Sequence, residues 1–205
     1  IMAISTYSEL KTAVADFLNR DDLTDVIPTF IALGEAQISR DLRHWRQQRR
    51  VTTTLNEGFE FLPSDFLEAV HFYIDTGEGE KTLEFASMAE VSRRKMNNAG
   101  VSGEPAVYTI NAGQIEVIPA PDDSYPLALV YYAKTVTLSD EATTNWLLTY
   151  FPDIYLYASL MHSAPYLQED QRIAVWGQMY AQAIAQANQE SESAMYSGPL
   201  VLRNK

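Results

Sequence analysis

The chain has 205 residues, of which 46% are hydrophobic and 20% are charged, a composition that predicts a folded globular protein. Its formal charge of −12 argues against a protein that wraps nucleic acid, because such proteins are basic. Cysteine is absent, which excludes disulfides and thiolate catalysis, and no apolar run approaches the roughly 20 residues of a membrane span.

The first fifty residues carry the pattern of two helices. Thr6 followed by Glu9 is typical of a capping box, and apolar residues then recur at helical spacing as far as Leu18. A second helix is expected to begin near Pro28, whose ring suits a first turn. Gly34 costs this helix about 1 kcal/mol relative to alanine, so it predicts a close approach of another helix. We expect the two helices to form an antiparallel pair.

A basic segment follows the second helix. Its five arginines and one acid, Asp41, give residues 40–50 a charge of +4, against −12 for the whole chain. Two interpretations stay open: cations that stabilise a helix C-terminus, or a basic patch that faces a partner. The candidate contact residues are Arg40, Arg43, Arg46, Arg49 and Arg50.

Beyond residue 50 the hydrophobic period changes to alternation, which predicts strands. Alternating segments separated by turn residues run to about residue 137, with one short helix expected from Ser87 to about Asn97. Residues 62–66 predict a single helical turn between two of the strands. The whole region predicts an antiparallel sheet of five to seven strands, because its strands are not regularly interleaved with helices.

Helices return in the last third of the chain. The segments 152–163 and 170–191 have helical spacing and are rich in aromatic residues and alanine. Trp176 and Tyr180 lie on one stripe of the last helix, where they could pack within the subunit or contact a neighbouring subunit. Together with the N-terminal pair, these helices are expected to form a four-helix bundle.

The predicted fold class is therefore α+β, with N- and C-terminal helix pairs forming a helical bundle with an inserted antiparallel β-sheet domain. The predicted boundaries are 1–50 and 138–193 for the bundle, 51–137 for the insert and 194–205 for an extended C-terminal arm. The arm has no helical period but is rich in apolar residues, which favours a binding segment over an idle terminus. Its candidate partner-binding residues are Met195, Tyr196, Leu200, Val201, Leu202 and Arg203.

Residue chemistry predicts no catalytic, cofactor or metal site. The three histidines are far apart in sequence and lack the paired spacing of metal ligands. No glycine-rich loop opens a helix after a strand, so a nucleotide site would lack its usual structural element. What remains is a protein that presents packing surfaces.

Several short segments, in their order and spacing, resemble a known family. They are residues 7–10, 62–66, 115–121, 129–132 and 146–180, together with Ile31, Glu35, Ile38, Arg40, Leu42, Arg43 and Tyr108. Through them the chain resembles, over nearly its whole length, the head-to-tail adaptor proteins of tailed bacteriophages, also called connectors or tail tubular proteins.

The resemblance implies a structural virion protein without enzymatic activity or cofactor. It implies a homo-oligomeric, dodecameric ring that contacts the portal protein on one side and the tail or nozzle protein on the other. DNA would pass through the lumen without specific binding, and an acidic wall would let the duplex slide. It places the protein at the head–tail junction after synthesis in the host cytoplasm, and the N-terminus shows no signal-like apolar block.

Two further functions stay open on the residues alone. Abundant carboxylates such as Glu57 and Glu60 would serve a tail-associated peptidoglycan hydrolase, which needs two of them across a sugar cleft. A small oligomeric binding module outside phages would also be consistent with a chain without a catalytic motif.

Overall fold

A computed structural model describes residues 4–98, 100–167 and 171–196 and gives an α+β protein, which confirms the predicted class. In these ranges, six helices run over α1 Tyr7–Leu18, α2 Ile27–Asp41, α3 Met88–Asn98, α4 Trp146–Tyr150, α5 Pro152–Met161 and α6 Arg172–Met195. Eight strands run over β1 Gln48–Leu55, β2 Phe59–Phe61, β3 Phe66–Asp75, β4 Glu80–Thr82, β5 Glu84–Phe85, β6 Val107–Asn111, β7 Gln114–Ile118 and β8 Tyr125–Ala133.

These elements divide into two compact units. Residues 47–134 form the β unit, and the described residues on either side of them form the helical unit. Each unit has a hydrophobic core of its own.

The start of α1 is fixed by the capping box that the sequence predicts. The hydroxyl of Thr6 accepts the backbone N–H of Glu9 at 3.3 Å, and the carboxylate of Glu9 accepts the N–H of Thr6 at 3.0 Å. Hydrogen bonds from the N–H groups of Ser5 and Thr6 lower the pKa of Glu9. The helix ends at Asn19, which adopts the left-handed conformation that asparagine tolerates well.

Close packing between α2 and α5 confirms the expectation for Gly34. A Cβ atom at this position would lie 3.2 Å from the Cβ of Ala158 and 3.2 Å from the backbone nitrogen of Ser159. Pro28 occupies the first turn of α2, again as predicted. Helix α5 also packs against α1 and α6, and its apolar side chains lie in the core of the helical unit.

A network of polar side chains ties α2 to α5 inside the helical unit. Glu35 accepts the backbone N–H of Leu138 at 2.8 Å and the hydroxyl of Tyr155 at 3.2 Å. Asn145 caps α4 by accepting the N–H of Leu148, and its amide donates to the hydroxyl of Tyr155 at 2.7 Å. Burial raises the pKa of Glu35, and the two hydrogen bonds oppose that effect.

The β unit corrects the expectation of one antiparallel sheet. Its strands form two four-stranded sheets, in the orders β1-β8-β3-β4 and β2-β7-β6-β5, and side chains of both sheets share one core. Strand alternation looks the same in one sheet or two, so the sequence pattern could not separate them. The pair β5–β6 is parallel because α3 lies between these strands in the chain and provides the crossover that parallel pairing needs.

Two local expectations also differ from the structure. Residues 62–66 form a turn closed by the N–H of Phe66 and the carbonyl of Pro63, rather than a helical turn. Helix α6 continues to Met195, four residues beyond its predicted end, so the first residues assigned to the arm are helical. The extension follows from the buried Ser191 and from a sequence, Glu192 to Met195, that contains no helix breaker.

Candidate interaction surface

The segment that leaves the C-terminal end of α2 is held by the last helix. The side chain of Asn188 accepts the backbone N–H of Arg43 at 3.0 Å and donates to the carbonyl of Asp41 at 3.2 Å. Ser191 accepts the N–H of Trp45 at 2.8 Å. These hydrogen bonds fix the backbone against α6 as far as Trp45, the residue before Arg46.

His44, which belongs to this segment, is fully buried among aromatic rings. Its imidazole stacks on Trp146 and meets the edge of Phe151, with centroid distances of 5.4 Å in both cases. Burial lowers the pKa of His44, while nearby Glu190 raises it and Arg46 lowers it to smaller extents. The Nδ1 atom accepts the backbone N–H of Arg46 at 3.2 Å, so the histidine orients the turn that carries this arginine.

Arg46 contacts two aromatic rings. Its guanidinium carbon is 4.5 Å from the ring centroid of Trp45 and 4.0 Å from that of Tyr150, both distances typical of cation–π contacts. We call these three residues the Arg46 stack. Trp45 and Tyr150 were not predicted from the sequence. Adjacency to Arg46 could have indicated Trp45, whereas Tyr150 is about a hundred residues away and no sequence pattern links it to Arg46.

The other two arginines of this region serve the end of α2. Arg43 donates to the carbonyls of Ser39 at 3.0 Å and Leu42 at 2.8 Å, which fits the interpretation of a cation at a helix C-terminus. Arg40 is exposed and donates to the side chain of Gln37 at 2.8 Å.

Arg49 and Arg50 lie in strand β1 of the β unit and meet carboxylates there. Arg49 contacts Asp65 at 2.8 Å, and Asp65 also accepts the hydroxyl of Tyr131 at 2.8 Å. Arg50 contacts Glu80 at 3.8 Å. The five arginines of the basic segment are therefore divided between the two units, with two of them paired in the β unit.

Trp176 and Tyr180 are core residues of the helical unit, each 5% exposed. The hydroxyl of Tyr180 donates to Asp41 at 2.9 Å, and burial together with this hydrogen bond raises the pKa of the tyrosine. Arg172 lies over the ring of Trp176. Their burial fits the first of the two interpretations, packing within the subunit.

The predicted arm is only partly described. Met195 ends α6 and Tyr196 follows it, and both side chains are exposed. Leu200, Val201, Leu202 and Arg203 lie outside the described residues.

The outward face of α6 carries no charge over most of its length. Residues 173–189 contain no Asp, Glu, Lys or Arg, although a fifth of the whole chain is charged. The exposed positions include Val175 and Met179, which are separated by one helical turn. Depletion of charge is a mark of the central part of protein interfaces.

Two clefts formed by described residues of the β unit are each lined by one carboxylate. The first, of about 260 Å³, contains Glu116, whose buried carboxylate forms an ion pair with Lys95. The second, of about 230 Å³, contains Glu60 among mostly apolar residues. A glycoside hydrolase needs two carboxylates across one cleft, so neither cleft favours that chemistry.

Among the residues that the structure describes, no cluster of three or more His, Asp or Glu side chains is arranged to hold a metal ion. None of the helices in those ranges combines the length and the apolar character needed to cross a bilayer.

Comparison with protein families gives one match that covers nearly the whole chain. A family model described as SU10 adaptor protein matches residues 5–203, a range that includes both units. No curated protein matches the chain. The resemblance to phage head-to-tail adaptors noted from the sequence is thereby confirmed. The chain belongs to the SU10 adaptor protein family, a family of phage adaptors.

Proposed function

We propose that this protein forms a dodecameric ring between the portal and the tail or nozzle of a phage and that DNA passes through its lumen. Membership of the adaptor family establishes the coarser part, a structural role in the virion and contact with other virion components. The observation that carries the proposal is the extent of the family match, residues 5–203. We further propose that the chain is made in the host cytoplasm before it joins the head–tail junction.

The helical unit supports a ring because it offers more than one apolar surface. In a ring each copy uses two different faces, since the contact is heterologous. Phe17 on α1 and Leu33 on α2 are exposed, as are Val175 and Met179 on α6. Permanent assemblies usually bury more than about 2,000 Å² per interface, so several helices are needed on each side.

The contacts of α5 support the proposed four-helix bundle. Helices α1, α2 and α6 each pack against α5, and their apolar residues share one core. A close-packed interior has low compressibility, which suits a part that must hold its geometry under load.

The acidic balance supports a conduit that does not retain DNA. A net formal charge of −12 on each copy would, summed over the ring, repel phosphates from the wall of the lumen. Retention of DNA would instead require clusters of unpaired cations along the lumen.

The arm is proposed to bind the portal, and its deletion is the first experiment. Because α6 continues to Met195, the chain should be cut after Tyr196, which leaves the helix complete. The truncated protein should stay folded and lose binding to purified portal rings of the same phage. A matched variant that carries Met195→Ala and Tyr196→Ala in the full-length chain separates the exposed helix end from the residues that follow it. Undiminished portal binding by the truncated chain would refute the portal-binding arm.

Electron microscopy of the full-length chain mixed with its portal tests the ring itself. We expect a second ring on the portal with one copy per symmetry position and an open channel. A monomer that ignores the portal, or a purified protein that degrades peptidoglycan, would overturn the proposed function.

A further inference from the structure

The Arg46 stack contains an arginine without a carboxylate partner in the part of the subunit that the structure describes. Among the described residues, the guanidinium of Arg46 has no carboxylate or hydrogen-bond partner, and its Nε atom is buried without an acceptor. Arg40 and Arg43 differ, because each donates to an acceptor of α2 or of the segment that follows it. Helix-end stabilisation therefore accounts for Arg43, whereas the guanidinium of Arg46 makes only the two cation–π contacts among the described residues.

The chemistry of the stack fits a carboxylate supplied from outside. Trp45 is 38% exposed and Tyr150 56% exposed, although both contact the guanidinium. A guanidinium whose face contacts aromatic rings can still donate hydrogen bonds from the N–H groups at its edge. Two such N–H groups can bind the two oxygens of one carboxylate. Trp, Tyr and Arg are also the residue types that dominate the energetics of protein interfaces.

Carboxylates without partners lie at the other end of α2. Asp21 and Asp25, in the turn between α1 and α2, are exposed and have no side-chain partner among the described residues. Asp22 of the same turn is bonded to Arg20. Residues 20–25 are called the acidic turn below. Because α2 has 15 residues at 1.5 Å each, the acidic turn and the Arg46 stack are separated by roughly 20 Å along one helix.

We propose that the acidic turn of one copy docks on the Arg46 stack of the next copy. The inference rests on the proposed ring and names the contact that would build it. Opposite charges at opposite ends of one helix cannot meet within a subunit, but they meet when copies associate head to tail. Such a heterologous contact repeats from copy to copy, and it closes into a ring when the rotation between successive copies completes a circle.

Neither the helix dipole nor a DNA phosphate accounts for the stack as well as a second copy does. The dipole of α2 favours acids at its N-terminus and bases at its C-terminus, but it does not call for aromatic rings in contact with the cation. A DNA phosphate could also bind an arginine beside aromatic rings, yet one unpaired arginine on a chain of charge −12 is a poor phosphate site. The experiment below distinguishes DNA from a second copy.

Charge reversal tests the contact in three combinations of the full-length chain. The first variant is Arg46→Glu, the second is Asp21→Arg with Asp25→Arg, and the third combines all three changes. Assembly is measured by mass photometry and sedimentation over a range of concentrations, and on portal rings if the free chain is monomeric. The control is Arg93→Glu, which makes the same charge change at an arginine already bonded to Glu90.

The expected pattern follows from heterologous pairing. Each of the first two variants should assemble at least about tenfold less tightly than the wild type, because like charges then face each other. The combined variant should recover, and so should an equimolar mixture of the first two, since every contact in an alternating ring again joins opposite charges. Arg46→Lys should weaken assembly less than Arg46→Glu, because lysine keeps the charge but loses the paired N–H donors.

Each outcome bears on one proposal or the other. Wild-type rings that are insensitive to Arg46→Glu would overturn this contact and leave the proposed function intact. A wild-type chain that forms no ring, free or on portal, would overturn both. Normal assembly combined with altered retention of DNA in the Arg46→Glu variant would assign the stack to phosphate binding instead. Circular dichroism of each variant confirms that a loss of assembly is not a loss of folding.

Cysteine cross-linking gives an independent test, because the natural chain contains no cysteine. A chain with both Asp25→Cys and Tyr150→Cys should form a ladder of covalent oligomers on oxidation if the contact is head to tail. A pattern that stops at dimers would indicate a two-fold symmetric contact. No cross-link in assembled rings would show that the two positions are not in contact. Either result contradicts the proposal.

Discussion

The partly or fully buried carboxylates of Glu35 and Asp41 in the helical unit differ in their partners from those of Asp65 and Glu116 in the β unit. In the helical unit, Glu35 and Asp41 receive hydrogen bonds from tyrosine hydroxyls and from uncharged amides. In the β unit, Asp65 and Glu116 meet the cations of Arg49 and Lys95. Arg46 of the helical unit has no carboxylate partner among the described residues, whereas Arg49 and Arg50 of β1 each contact one.

The largest effect is expected when the buried ion pair of the β unit is broken. Changing Lys95 to Met leaves the carboxylate of Glu116, which is almost fully buried, without its cation. Breaking such a pair costs about 3 kcal/mol or more when both partners are buried, and we expect about 2 kcal/mol here because Lys95 is half-exposed. The measurement is the free energy of unfolding from urea denaturation.

The control for this change removes the charge as well. Adding Glu116→Gln to the Lys95→Met chain should recover part of the lost stability, because no uncompensated charge is then buried. If Lys95→Met alone leaves the free energy of unfolding unchanged, ion pairing is not what stabilises Glu116.

In the helical unit the equivalent test predicts that charge is dispensable and hydrogen bonding is not. Replacing Glu35 by Ala leaves the N–H of Leu138 and the hydroxyl of Tyr155 without their acceptor, at a cost of about 1–2 kcal/mol, because Glu35 is only partly buried. Replacing Glu35 by Gln keeps an acceptor oxygen, so the loss should be smaller. Fluorescence reports this unit selectively, since Trp45, Trp146 and Trp176 all lie in it. Equal losses for Ala and Gln would show that the carboxylate charge itself matters.

A pH titration sharpens the contrast through His44. Burial holds the pKa of His44 below the ordinary value of 6.5, so the unfolded chain takes up this proton first as the pH falls. Stability is thus fully present above pH 6.5 and decreases below it, by up to about 1.4 kcal/mol per pH unit, until the folded histidine also titrates.

The variant that isolates this effect is His44→Asn, whose side chain can still accept the N–H of Arg46. Between pH 7 and pH 5 its fluorescence-detected stability should fall less than that of the wild type. Some dependence should persist, because burial also lowers the pKa of His162. Identical slopes for the two chains would remove His44 from the pH response.

The sequence predicted those parts of the fold that local patterns determine. Thr6 and Glu9 indicated the start of α1, and Gly34 indicated a close helix contact, because capping and steric demands are read within a few residues. The division into two sheets and the parallel pair β5–β6 were missed, because they depend on pairing between strands distant in sequence.

The candidate surface shows the same limit. The sequence identified Arg46 as one of five equivalent arginines, and nothing in their spacing distinguished them. The difference arises from Tyr150 and Asp65, which reach Arg46 and Arg49 respectively only in the folded units. Whether a given arginine has a carboxylate partner depends on tertiary contacts. A run of like charges in the sequence therefore indicates a charged surface, but it does not indicate which residue a partner contacts.

The smallest effect on stability is expected at Arg50, and it separates stability from assembly. Arg50 and Glu80 are both more than half exposed and 3.8 Å apart, and such surface pairs contribute roughly 0–1 kcal/mol. Arg50→Ala should therefore leave the free energy of unfolding nearly unchanged, and added salt should not alter that result. Because Glu80 already pairs with Arg50, we expect ring assembly to be reduced far less than by Arg46→Glu. The opposite result would be a loss of assembly as large as that of Arg46→Glu in a chain of unchanged stability. It would show that a partner displaces Glu80 and contacts Arg50. An ion pair within the β unit would then not prevent an arginine from taking part in the interface.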